Sequence, residues 1–387
     1  MTRSLRSSAP PVFSGDRSPS LLLGPTAWDS FRADLIAHTR VRRQLESAAA
    51  PALKINRLTV VDKPVLPLSG DAHDYVSFGP YWWPDPDKAD GLPYIRRDGE
   101  TNPTSGGDRV ALEQLAAALS TLGALARLGL SAEPARQAGR LLRGWFIDPS
   151  TRMNPHLTYA QGIPGHCVGR GIGIIDTSWF CFLLDEIAGL EFNSHWTPAD
   201  LRAVKAWFSD YLDWLLESIE GQQECAEFNN HGTWYDAQVG CFALFCGRDH
   251  LARLQIEQFT FGRISSHIDA DGRQPHELDR TLSLTYCTFN LLAFACIAQA
   301  ARRLHLDLWN WTSPQNGSLI QAIRWLLPYY AGETPWTWPQ LIPFKTARAA
   351  LLLNLAADGT GDAAFSALSR RLSSHPLDRV SPWPLFS

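Results

Sequence analysis

The chain has 387 residues, 45% of them hydrophobic and 19% charged, so it can bury a sizeable core and does not read as globally disordered. Its formal net charge is -4 and it has no basic run of five or more, which argues against a nucleic-acid partner. No stretch of 18 apolar residues is present to suggest a membrane span, and a polyanionic ligand would have to be met by a local basic cluster rather than by overall charge.

Residues 1–20 are rich in Ser, Pro and Arg and read as disordered, leaving residues 21–387 as a single domain. The apolar run Leu21-Leu22-Leu23 is too short for a signal-peptide core, so no export signal is expected. Trp28, Phe31, Leu35, Ile36 and Val41 carry helical spacing and predict a first helix from the high 20s into the 40s. Residues 51–107 are irregular, with recurrent Pro and Gly, and long irregular segments in compact domains tend to be functional or disordered. This one contains Tyr81-Trp82-Trp83-Pro84-Asp85-Pro86, which is either a stiff aromatic platform or a loop pinned to the core by its rings.

From residue 108 onward the chain reads as helix after helix. Leu112, Leu115, Leu119 and Leu122 form one stripe, and a second helix runs from Ser131 to about Phe146. The Gly/Pro-rich loop from Asn154 to Gly171 leads through Asp176-Thr177-Ser178 into an apolar run from Trp179 to Ile187. Thr197-Pro198 is a helix start, with a cap residue followed by Pro at the first helical position. Further helices are predicted near 235–247, 249–266, 284–304, 318–331, 343–357 and 361–373. The absence of convincing period-two alternation predicts an all-α fold of antiparallel helical hairpins in a ring or curved stack. The loops at 71–107, 154–176, 224–236 and 269–280 would then line one end of a central groove.

The seven cysteines, Cys167, Cys181, Cys225, Cys241, Cys246, Cys287 and Cys296, form no CxxC pair, so zinc is not indicated. The fifteen Trp residues serve either the core or a sugar-stacking cleft.

Two segments concentrate polar chemistry. Asn229-Asn230-His231-Gly232-Thr233-Trp234-Tyr235-Asp236 packs amides, an imidazole, an indole, a phenol and a carboxylate side by side. An ordinary surface helix would space such groups by three or four, so this stretch suggests a helix entrance facing a cavity. The plainer reading is a capped helix start with Asn230 as the cap and His231 idle. The second segment, Asp271 to Arg280, holds Gln274, His276, Glu277 and Asp279. On a helical turn, Glu277 and Arg280 would share a face, as a weak surface ion pair or as a carboxylate-binding Arg280 oriented by Glu277. Tyr286 lies about two turns beyond Arg280.

Together, Asn229-Asn230-His231, the stretch from Glu277-Leu278-Asp279-Arg280 to Tyr286, and the Tyr81–Pro86 loop resemble the alginate lyase superfamily. Asn154-Pro155-His156-Leu157-Thr158-Tyr159-Ala160-Gln161, Pro164-Gly165 and Gly169-Arg170-Gly171 to Asp176 are similar to that family's loops, and the resemblance spans roughly residues 55–345. It implies an incomplete α/α toroid and β-elimination on a uronic-acid polymer of the alginate or glucuronan type. It implies that Asn230 and Arg280 neutralise the substrate carboxylate and that His231 shares that task or acts as base. Tyr286 would be the general acid, and the base as well when both protons lie on one face; Tyr235 is the other phenol available. Tyr81, Trp82, Trp83, Asn229, Arg170, Gln274, Glu277 and His276 would contact substrate, and Tyr94, Arg96 and Arg97 could reach a polyanion. No metal or other cofactor is required, because amides and guanidinium do the neutralising. The family implies a periplasmic or secreted protein, against an N-terminus that shows no signal and leaves the cytoplasm open. The alternatives are a helical-toroid glycoside hydrolase using Asp236, Glu277 and Asp279, or a non-catalytic carbohydrate-binding protein.

Overall fold

The computed structural model describes residues 20–129, 131–190 and 194–381. The disorder expected over residues 1–20 therefore falls, apart from the buried Ser20, outside the described residues.

The predicted first helix is two, α1 (Pro25–Ala37) and α2 (Thr39–Leu53), separated at the extended residue His38. Then come α3 (Arg109–Leu128), α4 (Glu133–Leu142), α5 (Phe180–Leu190), α6 (Pro198–Glu217), α7 (Ile219–Cys225) and α8 (Asn230–Phe245). They are followed by α9 (Asp249–Gln255), α10 (Phe261–His267), α11 (Pro275–Leu278), α12 (Ser283–Arg303), α13 (Leu319–Tyr330), α14 (Thr346–Thr360) and α15 (Ala363–Leu372). Local sequence explains several boundaries. Thr197 and Asp200 form a reciprocal capping box at the start of α6, with Pro198 at its first position. Gly129, at φ 68°, ends α3 in the left-handed region.

Helices α3, α5, α8, α12 and α14 pack in succession, each against the next, and form an inner row. Helices α2 and α4 back α3, α6 and α9 back α8, α13 backs α12 and α14, and α15 backs α14. Between α14 and α3 the circuit is bridged by α1, α2 and the 3-10 turn Pro376–Arg379 rather than by another inner helix. The result is the incomplete helical ring that the sequence predicts. Asp185 on α5 fastens the N-terminal segment across it, accepting the backbone N–H groups of Leu22 and Leu23 at 3.0 Å each.

The inner helices are apolar around most of their circumference, as their position demands. Helix α12 is long and apolar enough to cross a bilayer, yet 83% of that stretch is buried inside the protein, as a core helix should be. Most of the tryptophans serve this core: Trp145, Trp234 and Trp309 are fully buried.

Two short strand pairs depart from the all-helical expectation. β1 (Val76–Phe78) pairs in parallel with β4 (Tyr159–Gly162), and β2 (Trp82–Trp83) pairs antiparallel with β3 (Ile95–Arg96). Each is only two to four residues long, too short for alternation to register in sequence. Both staple the long loops over one end of the ring.

Candidate active site

One cavity of about 820 Å³ opens where those loops converge. All four loops expected to line one end contribute: Tyr81 and Trp82 from the first, Gln161 and Arg170 from the second, Asn229 to His231 from the third, and His276, Asp279 and Arg280 from the fourth. A fifth wall, Ile342 to Arg348, comes from the approach to α14.

The start of α8 is built differently from the simple capped helix. Asn229 is the cap, its side-chain oxygen accepting from the His231 backbone N–H at 2.9 Å. Asn230, the expected cap, is instead the first helical residue and is buried. It is held by Glu277: its backbone N–H donates to Oε1 at 2.6 Å and its amide nitrogen to Oε2 at 2.8 Å. With the amide so fixed, the buried Asn230 Oδ1 has no partner among the described residues, and Asn230 lines the cavity. Gly232 is required at the next turn, because a Cβ there would run into the carbonyl of Glu227 and the guanidinium of Arg263.

His231 also lines the cavity, and its Nδ1 lies 2.9 Å from Oε1 of the fully buried Glu224 on α7. Burial works against a charged imidazole here, but the Glu224 carboxylate outweighs it and raises the His231 pKa. Burial likewise raises the pKa of Glu224. Burial pushes Glu277 up to about 7, against the opposing hydrogen bonds from Asn230.

Glu277 does not orient Arg280, contrary to the helical-turn expectation. Helix α11 ends at Leu278, so Arg280 leaves the helical phase and the Glu277 carboxylate is consumed by Asn230. Arg280 instead faces Asp98, with Nη2 3.4 Å from Oδ1, and lays its guanidinium over the Tyr286 ring at 3.9 Å from the centroid. Burial disfavours its charge, but the surrounding Tyr286, Asp98 and Glu277 raise its pKa on balance.

The Tyr286 hydroxyl is 2.8 Å from that of Tyr81, and both residues line the cavity. Burial and the Tyr81 neighbour push the Tyr286 phenol well up, with Arg280 pulling the other way, so it rests protonated. Tyr235, the other phenol considered, is buried away from the cavity and donates to the Leu215 carbonyl at 2.9 Å; it is a core residue. Four residues on from His231, it lies on the core side of a helix that is buried nearly all round.

Of the expected substrate contacts, Tyr81, Trp82, Asn229, Arg170 and His276 line the cavity. Arg170 is braced by the Gln161 carbonyl at 2.9 Å, and His276 packs on Phe228 with ring centroids 5.1 Å apart. Trp83, Gln274 and Glu277 do not. In the β2 strand, alternation turns Trp83 away from Trp82; its indole donates to the Glu100 carbonyl and Arg97 stacks on it. Gln274 is fully buried, bonding the Cys287 carbonyl and the Asn290 amide. Trp82 is the one tryptophan among the described residues that lines the cavity.

Sequence reasoning missed Glu224, Arg109, Gln161, Lys345 and Arg348. A signal existed for the last two. Lys345 caps α14 and Arg348 sits in its first turn, where cations oppose the helix dipole and need another reason to be present. Arg348 faces the Tyr81 and Tyr286 phenols, and its burial lowers its pKa. No group of three or more His, Cys, Asp or Glu side chains among the described residues is placed to hold a metal ion.

The fold and the family match are those of a polysaccharide lyase. The alginate lyase family model matches residues 59–336, and the chain belongs to that family. Among solved structures it is similar to an alginate lyase from Bacteroides ovatus, with 34% identity and a TM-score of 0.87 over 95% of this chain and 99% of that one. It also shares its fold with alginate lyase A1-III from Sphingomonas species A1, at 16% identity and a TM-score of 0.55 over 90% of this chain and 92% of that one. A variant of alginate lyase A1-III complexed with a tetrasaccharide aligns at 17% identity and a TM-score of 0.54, over 87% of both chains. A search of curated proteins returned no match.

Proposed function

We propose that this lyase cleaves an anionic polymer of uronic acids, of the alginate or glucuronan type, by β-elimination. In that reaction a proton leaves C5, the C4–O4 glycosidic bond breaks, and a C4–C5 double bond forms. The C5 proton becomes removable only when the adjacent carboxylate is neutralised, so donors must sit where negative charge develops. The observation that carries the reading is the convergence of Asn230, His231, Arg280 and the hydrogen-bonded Tyr286–Tyr81 pair on one cavity.

Arg280 and His231, with the Asn230 side chain, meet the carboxylate. Tyr286 rests as a phenol and so is ready to protonate the departing O4. Tyr81 gives its proton a hydrogen-bonded route when Tyr286 has to accept one from C5. Arg96, Arg109, Arg170, Lys345 and Arg348 add positive charge along the cavity, the local basic cluster that a polyanion requires of a chain with net charge -4. The tetrasaccharide held by an A1-III variant of the same fold supports an extended sugar chain in this cavity. Such a substrate fits a periplasmic or secreted enzyme and involves neither nucleic acid nor membrane.

The hydrolase reading has less support. Of its three acidic candidates only Asp279 lines the cavity, because Asp236 is buried against Arg263 at 2.8 Å and Glu277 is bound to Asn230. Incubation with alginate, glucuronan and other polyuronates, following ultraviolet absorbance of the unsaturated product, tests the proposal. Absorbance should rise on at least one polymer. Reducing ends without absorbance would favour a hydrolase, and binding with neither signal a non-catalytic carbohydrate-binding protein.

A further inference from the structure

We infer that Glu224 is a positioning residue that keeps His231 a hydrogen-bond donor to substrate and prevents it from acting as the base. The inference rests on the β-elimination reading above. Glu224 is fully buried on α7, outside the cavity lining, with Oε1 2.9 Å from His231 Nδ1. Its second oxygen has no hydrogen-bond partner among the described residues, so the imidazole is the polar group this carboxyl serves.

The consequence follows from counting protons. With two protons on the pair, it is either imidazolium with carboxylate or neutral imidazole with carboxylic acid. In the first, Nδ1–H donates to Oε1 and Nε2 carries the other proton. In the second, the carboxylic acid donates to Nδ1 and Nε2 still carries its proton. Wherever the shared proton lies, Nε2–H is a donor. A basic Nε2 lone pair appears only after the pair loses a proton, leaving Nδ1–H on a carboxylate.

The surroundings decide how readily that loss occurs. Glu227 faces both members and holds protons on them, whereas Arg280 opposes a cationic His231, and Arg263 and Arg170 favour the ionised carboxyl. Both pKa values are raised on balance, so the two-proton state extends above the ordinary imidazole range. A donor opposite Arg280 divides the labour of the site: His231 stabilises the developing enolate, and proton transfer falls to Tyr286.

Glu224→Gln tests this. Glutamine keeps the shape, but its carbonyl accepts Nδ1–H without holding a second proton, so Nε2 becomes a lone pair at neutral pH. Production of unsaturated uronide by the wild-type enzyme first establishes the β-elimination reading separately. The variant should then lose at least about tenfold in kcat at pH 8 and regain most of it near pH 6, because its imidazole pKa drops once the Glu224 carboxylate no longer favours the charged ring. Glu224→Asp, which retains the charge, should recover part of the loss at pH 8. Histidine side-chain 1H–15N spectra, with His231 assigned by comparison with His231→Asn, supply a readout independent of turnover. His231 Nε2 should remain protonated at pH 8 in the wild type and titrate at lower pH in Glu224→Gln. A loss equal at every pH, activity in Glu224→Gln that rises with pH, or a wild-type His231 Nε2 already unprotonated at pH 7 would overturn the inference.

Discussion

The cavity has two halves that use burial in opposite ways. On one side, Asn230 and His231 are each backed by a buried carboxyl, Glu277 and Glu224. On the other, the Tyr286–Tyr81 phenols are flanked by guanidiniums, Arg280 over the Tyr286 ring and Arg348 nearby. A carboxyl behind a donor fixes its orientation and holds its protons. A guanidinium beside a phenol eases loss of the phenolic proton against the effect of burial. The two halves meet because helices α8 and α12, neighbours in the inner row, each present their first turn to the same loops. Under the proposed mechanism the first half neutralises charge together with Arg280, and the second transfers protons.

The largest expected effect is on the phenol half. Tyr286→Phe should lower kcat by about 10²–10⁴-fold with the fold intact, since it removes the group assigned to acid–base work. Near-wild-type turnover of unsaturated product in this variant would move that role elsewhere. Arg280→Ala should follow, at about 10²–10³-fold in kcat, the usual loss for one preorganised donor to developing charge. If KM rises alone with kcat unchanged, Arg280 binds the ground state and does not discriminate the transition state.

Glu277→Gln probes the carboxylate-backed half through stability. The folded Glu277 pKa, about 7, lies above the ordinary 4.5, so the folded state binds this proton more tightly than the unfolded chain. Its contribution is fully present below pH 4.5 and is lost as pH rises through 7, by an amount on the order of a few kcal/mol. Thermal unfolding from pH 4.5 to 7.5 should therefore show a decline in the wild type that is visibly smaller in Glu277→Gln. Parallel curves for the two proteins would contradict the assigned proton. The smallest effect is expected at Tyr235→Phe: unchanged kcat and about 1 kcal/mol of lost stability from the broken bond to the Leu215 carbonyl. Abolished turnover there would return Tyr235 to the site.

Much of this was legible in the chain. Leu112 to Leu122 declared α3, Thr197-Pro198 declared α6, and contiguous polar groups at Asn229–Asp236 declared a helix mouth on a cavity. Two of the misreadings share one cause. Spacing of three suggested that Glu277 serves Arg280, and spacing of four offered Tyr235 as a partner of His231, but local spacing cannot say where a helix stops or which side faces the core. The end of α11 at Leu278 and the burial of α8 decided both.

Local sequence thus determined the helices, their caps and the residue types able to neutralise a carboxylate, because periodicity and capping act over a few residues. The pairing of Asn230 with Glu277, of His231 with Glu224, of Tyr286 with Tyr81, and the closing wall at Lys345–Arg348 were decided by tertiary structure. Those contacts join residues from 7 apart, for His231 and Glu224, to 205 apart, for Tyr286 and Tyr81, and the packing of α7, α8 and α12 with the loops brings them to hydrogen-bond distance.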